Sequence, residues 1–440
     1  MKSDAPRGDR RPFLSLMAAN AVSQVGNMMT AVAVPWFVLE TTGSAAQVGL
    51  VSAALAIGAV LPSILGGPLV DRIGLRRTSV SADVLSALTV LLIPVLHLAG
   101  VLQFWMLLVL AFALASVNSV GDAGRMALLP RLAQRAHLAP ERANSTDRAV
   151  ARLGQLFGPV VAGVLIALIG PTNVLFADVA TFAISAVVVA AGIPQRIERE
   201  RDAAAGATRA YGAELVEGLR FVVGNRLILS MVILVTIGNF LDVPLIQVVL
   251  PVYAREVFDS PAVLGLLMGS LAGGALMGTI IFGVVGKRLP RRLTLLTSWV
   301  LVAALVYGAL ALQLPLPVLL VTAVLGGFIA GPINPILLTV VQRETPPELM
   351  GRVFGALNAF AQAGIPFGAA TIGLLIDGAG LIPTIAGMGS LYVLTVAVMF
   401  VIPALRRMDD VVPAATLDEP APEAEPALQA RLCPTMKGGL

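Results

Sequence analysis

The chain has 440 residues, 57% of them hydrophobic and only 13% charged, with a net charge of +4. That composition excludes a soluble globular protein and points to a membrane protein. The two histidines, three lysines and single cysteine exclude more: a His-Glu-x-x-His zinc site, a Gly-x-x-x-x-Gly-Lys-Ser/Thr phosphate loop and any internal disulfide; no serine has a glycine two residues before it, so a Gly-x-Ser nucleophile elbow is absent too. Neither an enzyme nor a bound metal or cofactor is expected.

Twelve apolar runs are predicted, at residues 12–39, 46–70, 78–99, 102–126, 148–170, 172–193, 227–254, 262–286, 293–313, 316–341, 353–376 and 382–404. Each is long enough to cross a bilayer as a helix. The first, read as an uncleaved helix rather than a signal peptide, carries Asn20, Ser23, Gln24, Asn27 and Thr30 at spacings of three and four, one polar stripe on an apolar helix. Between the second and third runs lies a tight, charged turn, Gly66-Gly67-Pro68-Leu69-Val70-Asp71-Arg72-Ile73-Gly74-Leu75-Arg76-Arg77. Its glycines let helix ends approach closely, its aspartate can face a helix N-terminus, and its arginines stay at the membrane surface. Asp83 and Asp122 fall within a turn or two of the same membrane surface, and with Arg125 they are expected to form a conformational latch around Asp71, Arg72 and Arg76.

The fifth run contains Gly154, Gly158, Pro159 and Gly163. Small residues four apart allow close helix contact, and the proline removes a backbone hydrogen bond, so such a helix can seal one face of a cavity; an ordinary packing face is the less favoured alternative. Asp178 lies about two turns from the outer end of the sixth run, where capping near Asn173 competes with a role in coupling. Residues 195–225 are charged and helix-compatible, with Glu214, Glu217 and Arg220 on a polar face, as expected of a linker with a surface helix. Asp242 falls some sixteen residues into the seventh run, roughly 24 Å along it. Ionisable residues inside spans are costly and hence functional candidates. A carboxylate there can load and release a proton, so Asp242 is the first candidate for proton coupling and Asp178 the second.

Thr236, Asn239 and Gln247 make a second polar stripe, and Gln155, Asn334, Asn358 and Gln362 are further candidates for a water-accessible lining. No Lys or Arg is placed at mid-membrane, which disfavours phosphate, sulfate or carboxylate cargo and suits a bulky lipophilic or neutral molecule. Beyond about residue 408 the chain is Pro-, Ala- and Glu-rich and predicted to be a disordered tail, which carries Cys433.

Basic residues cluster on one side: Arg7, Arg10 and Arg11; Arg72, Arg76 and Arg77; Arg131, Arg135 and Arg142; Arg196 to Arg209; Lys287 to Arg292; Arg343 and Arg352; Arg406 and Arg407. Only Arg255 falls in a loop on the other side. By the positive-inside rule both termini are cytoplasmic. The basic balance thus reflects topology, and no nucleic-acid partner is expected. The chain also matches itself: at a shift of 216, Pro35, Glu40, Ser44, Ala46, Gly49, Leu50, Leu55, Ala56 and Gly58 fall on Pro251, Glu256, Ser260, Ala262, Gly265, Leu266, Leu271, Ala272 and Gly274. Two parallel copies of a six-helix unit follow.

The charged turn resembles the signature loop of the major facilitator superfamily, roughly Gly-x-Leu-x-Asp-Arg-x-Gly-x-Arg-Arg, although Leu75 stands where the family usually has a basic residue. Gly154 to Gly163 resembles the family's antiporter motif, Gly-x-x-x-Gly-Pro-x-x-Gly-Gly, with Ala162 replacing one glycine. The Pro140-Glu141 and Pro347-Glu348 loops and Gly351-Arg352-Val353 are similar to the twelve-helix efflux branch that includes macrolide and siderophore exporters.

The resemblance implies an all-α membrane protein of twelve helices in two pseudo-symmetric six-helix bundles, residues 1–194 and 226–408, joined by a cytoplasmic linker (195–225) and followed by a tail (409–440). It implies an exporter of drug, antibiotic or siderophore type, acting by alternating access as a monomer in the inner membrane. Gly67, Asp71, Arg72, Gly74, Arg76, Arg77, Asp122 and Arg125 would form the latch, and Gly154, Gly158, Pro159 and Gly163 a cavity seal. The arginine common in the fourth helix of proton-coupled members is missing. The alternatives are a lipid or lysophospholipid translocator and, in another class, a non-transporting receptor or scaffold on the same fold. The intact Asp71 turn argues against the scaffold.

Overall fold

The computed structural model describes residues 9–195, 211–403 and 405, with the side chains of 61, 63–69, 71, 72, 211–216 and 287 outside that description. Among the described residues eleven helices are long and apolar enough to cross a membrane. Six spans make the first half: α1 Arg11–Thr42, α2 Ala45–Ile73, α3 Leu75–Leu98, α4 Phe104–Arg135, α5 Pro140–Ile169 and α6 Pro171–Gly192. Of these α2, described as apolar over Ala45–Val60, completes the set of twelve. A shorter helix, α7 (Tyr211–Gly224), precedes the second six: α8 Arg226–Phe258, α9 Pro261–Val285, α10 Arg291–Ala311, α11 Leu316–Glu344, α12 Pro347–Ala379 and α13 Leu381–Val401. The tail expected beyond residue 408 lies outside the described residues.

Local chemistry sets the helix ends. Ser44 caps α2 by accepting from Gln47 N–H at 3.2 Å, and Asn225 caps α8 by accepting from Leu227 and Ile228 N–H at 3.0 and 3.2 Å. Prolines open α5, α6 and α9, where a missing N–H costs nothing. Single glycines turn the chain between the fifth and sixth spans of each half: Gly170 (φ 80°, ψ 159°) and Gly380 (φ 94°, ψ 161°). Only glycine adopts that conformation without strain. Their equivalence supports the internal repeat.

The charged turn is tighter than the sequence suggests. Helix α2 runs through Ile73, so Asp71 and Arg72 belong to its last turn, and the reversal rests on Gly74 alone (φ 95°). The glycine carries the bend, and the charged residues on either side keep helical backbone.

In lipid the hydrophobic effect gives no drive for helix association, so close van der Waals packing holds the bundle. Within the first half α1 packs on α5 and α6, and α3 on α4 and α6. Two seams join the halves, α2 on α12 and α5 on α9. Each is a crossing of glycines: a methyl group on Gly49 would lie 3.2 Å from the Gly373 Cα, and one on Gly163 3.1 Å from the Gly265 Cα. Below, the "terminal end" is where α1 begins and α13 ends; the "distal end" is the opposite one.

Candidate functional site

A cavity of about 380 Å³ lies between the halves, within the size range of small-molecule sites. Met28 of α1 and Arg152, Gln155 and Pro159 of α5 line one wall. Asp242 and Ile246 of α8, Met268 and Leu271 of α9, Val306 of α10 and Tyr392 of α13 contribute to the other. Most of this lining is apolar; Asp242, Arg152 and Gln155 are its main polar groups.

Asp242 is held by two tyrosines. Tyr307 Oη donates to Oδ1 at 3.0 Å and Tyr392 Oη to Oδ2 at 2.8 Å. Tyr392 stacks between Tyr307 and Trp299, at ring-centroid distances of 5.3 and 4.6 Å. The chain has only four tyrosines and three tryptophans, so this gathering around one carboxylate is not a by-product of composition. Trp299 Nε1 is buried without a partner among the described residues, leaving a donor beside the cluster. Helix geometry is adjusted at the same place. Pro244 interrupts the backbone ladder of α8, which widens into a π-turn over Leu245–Val249, and α10 has another over Ala303–Gly308, carrying Tyr307.

The first half holds two buried polar clusters of its own. Asp178 is fully buried, accepts from Thr30 Oγ1 and from Thr181 Oγ1 (3.1 Å), and sits in the α1–α6 seam rather than beside Asn173, whose side chain donates to Ile169 O. Toward the terminal end Arg125 pairs with Asp83, and donates through Nε to Ser79 Oγ at 3.2 Å and through Nη2 to Ser185 Oγ at 3.0 Å. Ser185 in turn donates to Asp83 Oδ2 at 2.8 Å. Arg76 donates to the Ala190 carbonyl, fastening the start of α3 to α6. Asp122 is exposed one turn before Arg125. The side chains of Gly67, Asp71 and Arg72 lie outside the described residues, as does any contact they make.

The polar stripes on α1 and α8 are spent mainly between helices. Asn20 Nδ2 donates to Asp147 Oδ1 (2.9 Å), Asn118 Nδ2 donates to Asn27 Oδ1 (3.3 Å), and the Gln24 side chain packs over Gly154. Thr236 donates to the carbonyls of Val232 (2.8 Å) and Phe360 (3.3 Å), and Asn239 donates to that of Ala361 (2.8 Å). The last two bonds tie α8 to α12. Gln247 Oε1 is buried without a partner among the described residues, Gln362 is half-buried, and Asn334 and Asn358 are exposed. Of the antiporter-like residues, Gly154 and Gly158 face α1, with Met28 filling the space at Gly158, while Pro159 and Gly163 meet α9 at Gly265.

Sequence reasoning did not find Tyr307, Tyr392 or Trp299. Their signal was rarity alone. It also placed no cation in the membrane interior, whereas the cavity extends far enough along α5 to include Arg152.

Twelve spans in two like halves, with an apolar cavity between them, have the architecture of a membrane carrier. The superfamily profile supports this assignment, matching residues 16–369 and again 232–432. The chain belongs to the Major Facilitator Superfamily, a family of transporters rather than enzymes. Among its relatives is the multidrug efflux pump Tap of Mycolicibacterium fortuitum, 33% identical over 91% of this chain and 98% of that one. Tap of Mycobacterium tuberculosis (strain ATCC 25618 / H37Rv) is 31% identical over 95% and 99%. Macrolide efflux protein A of Streptococcus pyogenes is 22% identical over 90% and 97%. Two solved structures share the fold: the nucleoside transporter NupG (TM-score 0.73, 12% identity, 90% of this chain and 98% of that one) and a D-xylose-proton symporter (0.69, 14%, 90% and 98%).

Proposed function

We propose that this chain is a secondary active exporter of lipophilic or neutral small molecules, of drug, antibiotic or siderophore type, working by alternating access. The end-to-end similarity to multidrug efflux pumps carries the reading. The cavity supports it: an apolar chamber with few polar anchors selects by shape and lipophilicity more than by one hydrogen-bond pattern.

Alternation requires that the two ends of the cavity open in turn. We assign the terminal-end latch to Gly67, Asp71, Arg72, Gly74, Arg76, Arg77 and Asp122, with Arg125 anchored through Asp83. Gly154, Gly158, Pro159 and Gly163 form the seal along α5. Asp242 is the proton-coupling carboxylate: it lines the cavity, and the two phenols can hold it in either protonation state. Asp178 is the weaker candidate, because its oxygens are engaged by threonines inside one half. The functional units are residues 1–194 and 226–408, the linker 195–225 and the tail 409–440. The chain acts as a monomer in the inner membrane with cytoplasmic termini.

The test is accumulation of a panel of lipophilic compounds in cells with and without the gene, with and without a protonophore. Lower accumulation in expressing cells, abolished by the protonophore, is the expected result. Equal accumulation across the panel contradicts export. Export that a protonophore leaves untouched contradicts proton coupling.

A further inference from the structure

Arg152 is the one arginine or lysine among the described residues lining the central cavity. It sits twelve residues into α5, about 18 Å from the terminal end of that helix at 1.5 Å per residue. Arg152, Gln155 and Pro159 stand at i, i+3 and i+7, so they form one stripe toward the cavity. Gly154 and Gly158, on the neighbouring face, are covered by Gln24 and Met28 of α1. Close packing of α1 on those glycines thus fixes which way Arg152 points.

Its guanidinium is nearly unused. Gln155 Oε1 accepts from Nη1 at 3.1 Å, one bond for a group with five N–H donors. The carboxylates nearest to it in the helix and across the cavity are engaged elsewhere. Asp147, the nearest on its own helix, accepts from Asn20, and Asp242, across the same cavity, has both oxygens on tyrosine hydroxyls. Among the described residues Arg152 forms no ion pair. Arg152 is exposed at the cavity wall, so its remaining N–H groups are open to a planar anion that enters the chamber.

We propose that Arg152 is a specificity-determining residue, which selects lipophilic molecules carrying a single carboxylate by binding that group at the α5 wall while the apolar body fills the chamber. The assignment deepens the export reading and rests on it for its physiological consequence. One cation sets the preference at one negative charge, because Asp242 on the facing wall repels a second. A phosphate-like dianion is therefore disfavoured. An arginine that merely reached toward water with its head group would be indifferent to cargo charge.

The test uses the purified full-length chain and two probes, an otherwise uncharged BODIPY dye with a free carboxylate and the methyl ester of the same dye, with binding followed by fluorescence polarisation. Wild type should bind the acid roughly tenfold more tightly than the ester, about the effect of one charge-assisted contact. Arg152→Gln should abolish that preference and leave ester affinity within about twofold. Arg152→Lys should retain part of it, because the charge remains while the two-pronged geometry is lost. Unimpaired ester binding by both variants serves as the folding control. Equal affinity of wild type for both dyes, binding of neither, or an equal loss of both in Arg152→Gln overturns the proposal. Acid-selective binding without export of either dye from cells would sink the export reading and leave this assignment standing; export of both dyes without discrimination would do the reverse.

Discussion

Asp377, in the last turns of α12, accepts from Ser44 Oγ at 2.6 Å and from the backbone N–H groups of Ala45 (2.8 Å) and Ala46 (3.2 Å). One half of the chain thereby caps the first helix turn of the other. The exposed N–H groups and positive dipole end of α2 favour a carboxylate there. Nearby, the Arg255 guanidinium lies 5.7 Å from the Trp36 ring centroid, a second bridge between the halves at the distal end. Together with the glycine crossings of Gly49 with Gly373 and Gly163 with Gly265, these contacts hold the distal ends together.

Asp377→Ala should therefore loosen the distal end. The residue is exposed, so the cap contributes about 1 kcal/mol, equivalent to roughly a fivefold shift in the balance of states. Spin labels on the distal ends of α2 and α12, introduced after removal of the sole native thiol by Cys433→Ser, would report it. A larger population of long distances is expected in Asp377→Ala. An unchanged distribution would mean that the cap does not bias the conformational balance.

The glycines of α5 make a graded prediction. A methyl group on Gly158 meets Cβ and Cγ of Met28, the root of that side chain, so α1 itself must yield; on Gly163 it meets the Pro261 carbonyl and the Gly265 backbone, so α9 must yield. Gly158→Ala and Gly163→Ala should each cost roughly 1–3 kcal/mol of stability, the first by spreading α1 from α5 within one half and the second by spreading the α5–α9 seam. Gly158→Leu needs a larger displacement of α1 and should abolish export or make it leaky while the protein still inserts. Melting curves and dye retention in the same preparations separate these effects. A Gly163→Ala protein as stable and as active as wild type would contradict the seam.

The Asp83–Arg125 pair is buried, with its remaining valences on Ser79 and Ser185. Removing one partner strands a charge, so Arg125→Met should lower stability by roughly 3–5 kcal/mol. The double variant Asp83→Asn/Arg125→Met should recover a substantial part. Thermal unfolding in detergent measures both, and a single variant as stable as wild type would show that the pair is solvated rather than buried.

How far the sequence reached follows from which interactions are local. Apolar runs longer than a bilayer's thickness mark the spans, and the spacing of Asp71, Gly74 and Arg76 marks the turn between α2 and α3, although only Gly74 proved to bend. Periodicity showed that Thr236 and Asn239 share a face, but not that the face meets α12, because that depends on packing between distant segments. The clamp on Asp242 was hidden for the same reason: Tyr307 and Tyr392 are 65 and 150 residues away, and nothing near them in sequence points to a carboxylate. Arg152 was overlooked because its neighbours Asp147 and Arg148 resemble a membrane boundary. Helix α5, at 30 residues, is longer than a bilayer requires, and the cavity extends along it to Arg152.

The central claim is outward transport driven through Asp242, and the most direct measurement is dye movement in proteoliposomes of purified protein under an imposed proton gradient. Wild type should move a lipophilic dye uphill against proton flow. Asp242→Asn, which keeps acceptor and donor groups between Tyr307 and Tyr392 but cannot cycle a proton, should only equilibrate the dye. Uphill transport by Asp242→Asn at the wild-type rate, or a wild type whose dye movement ignores the gradient, would contradict the account.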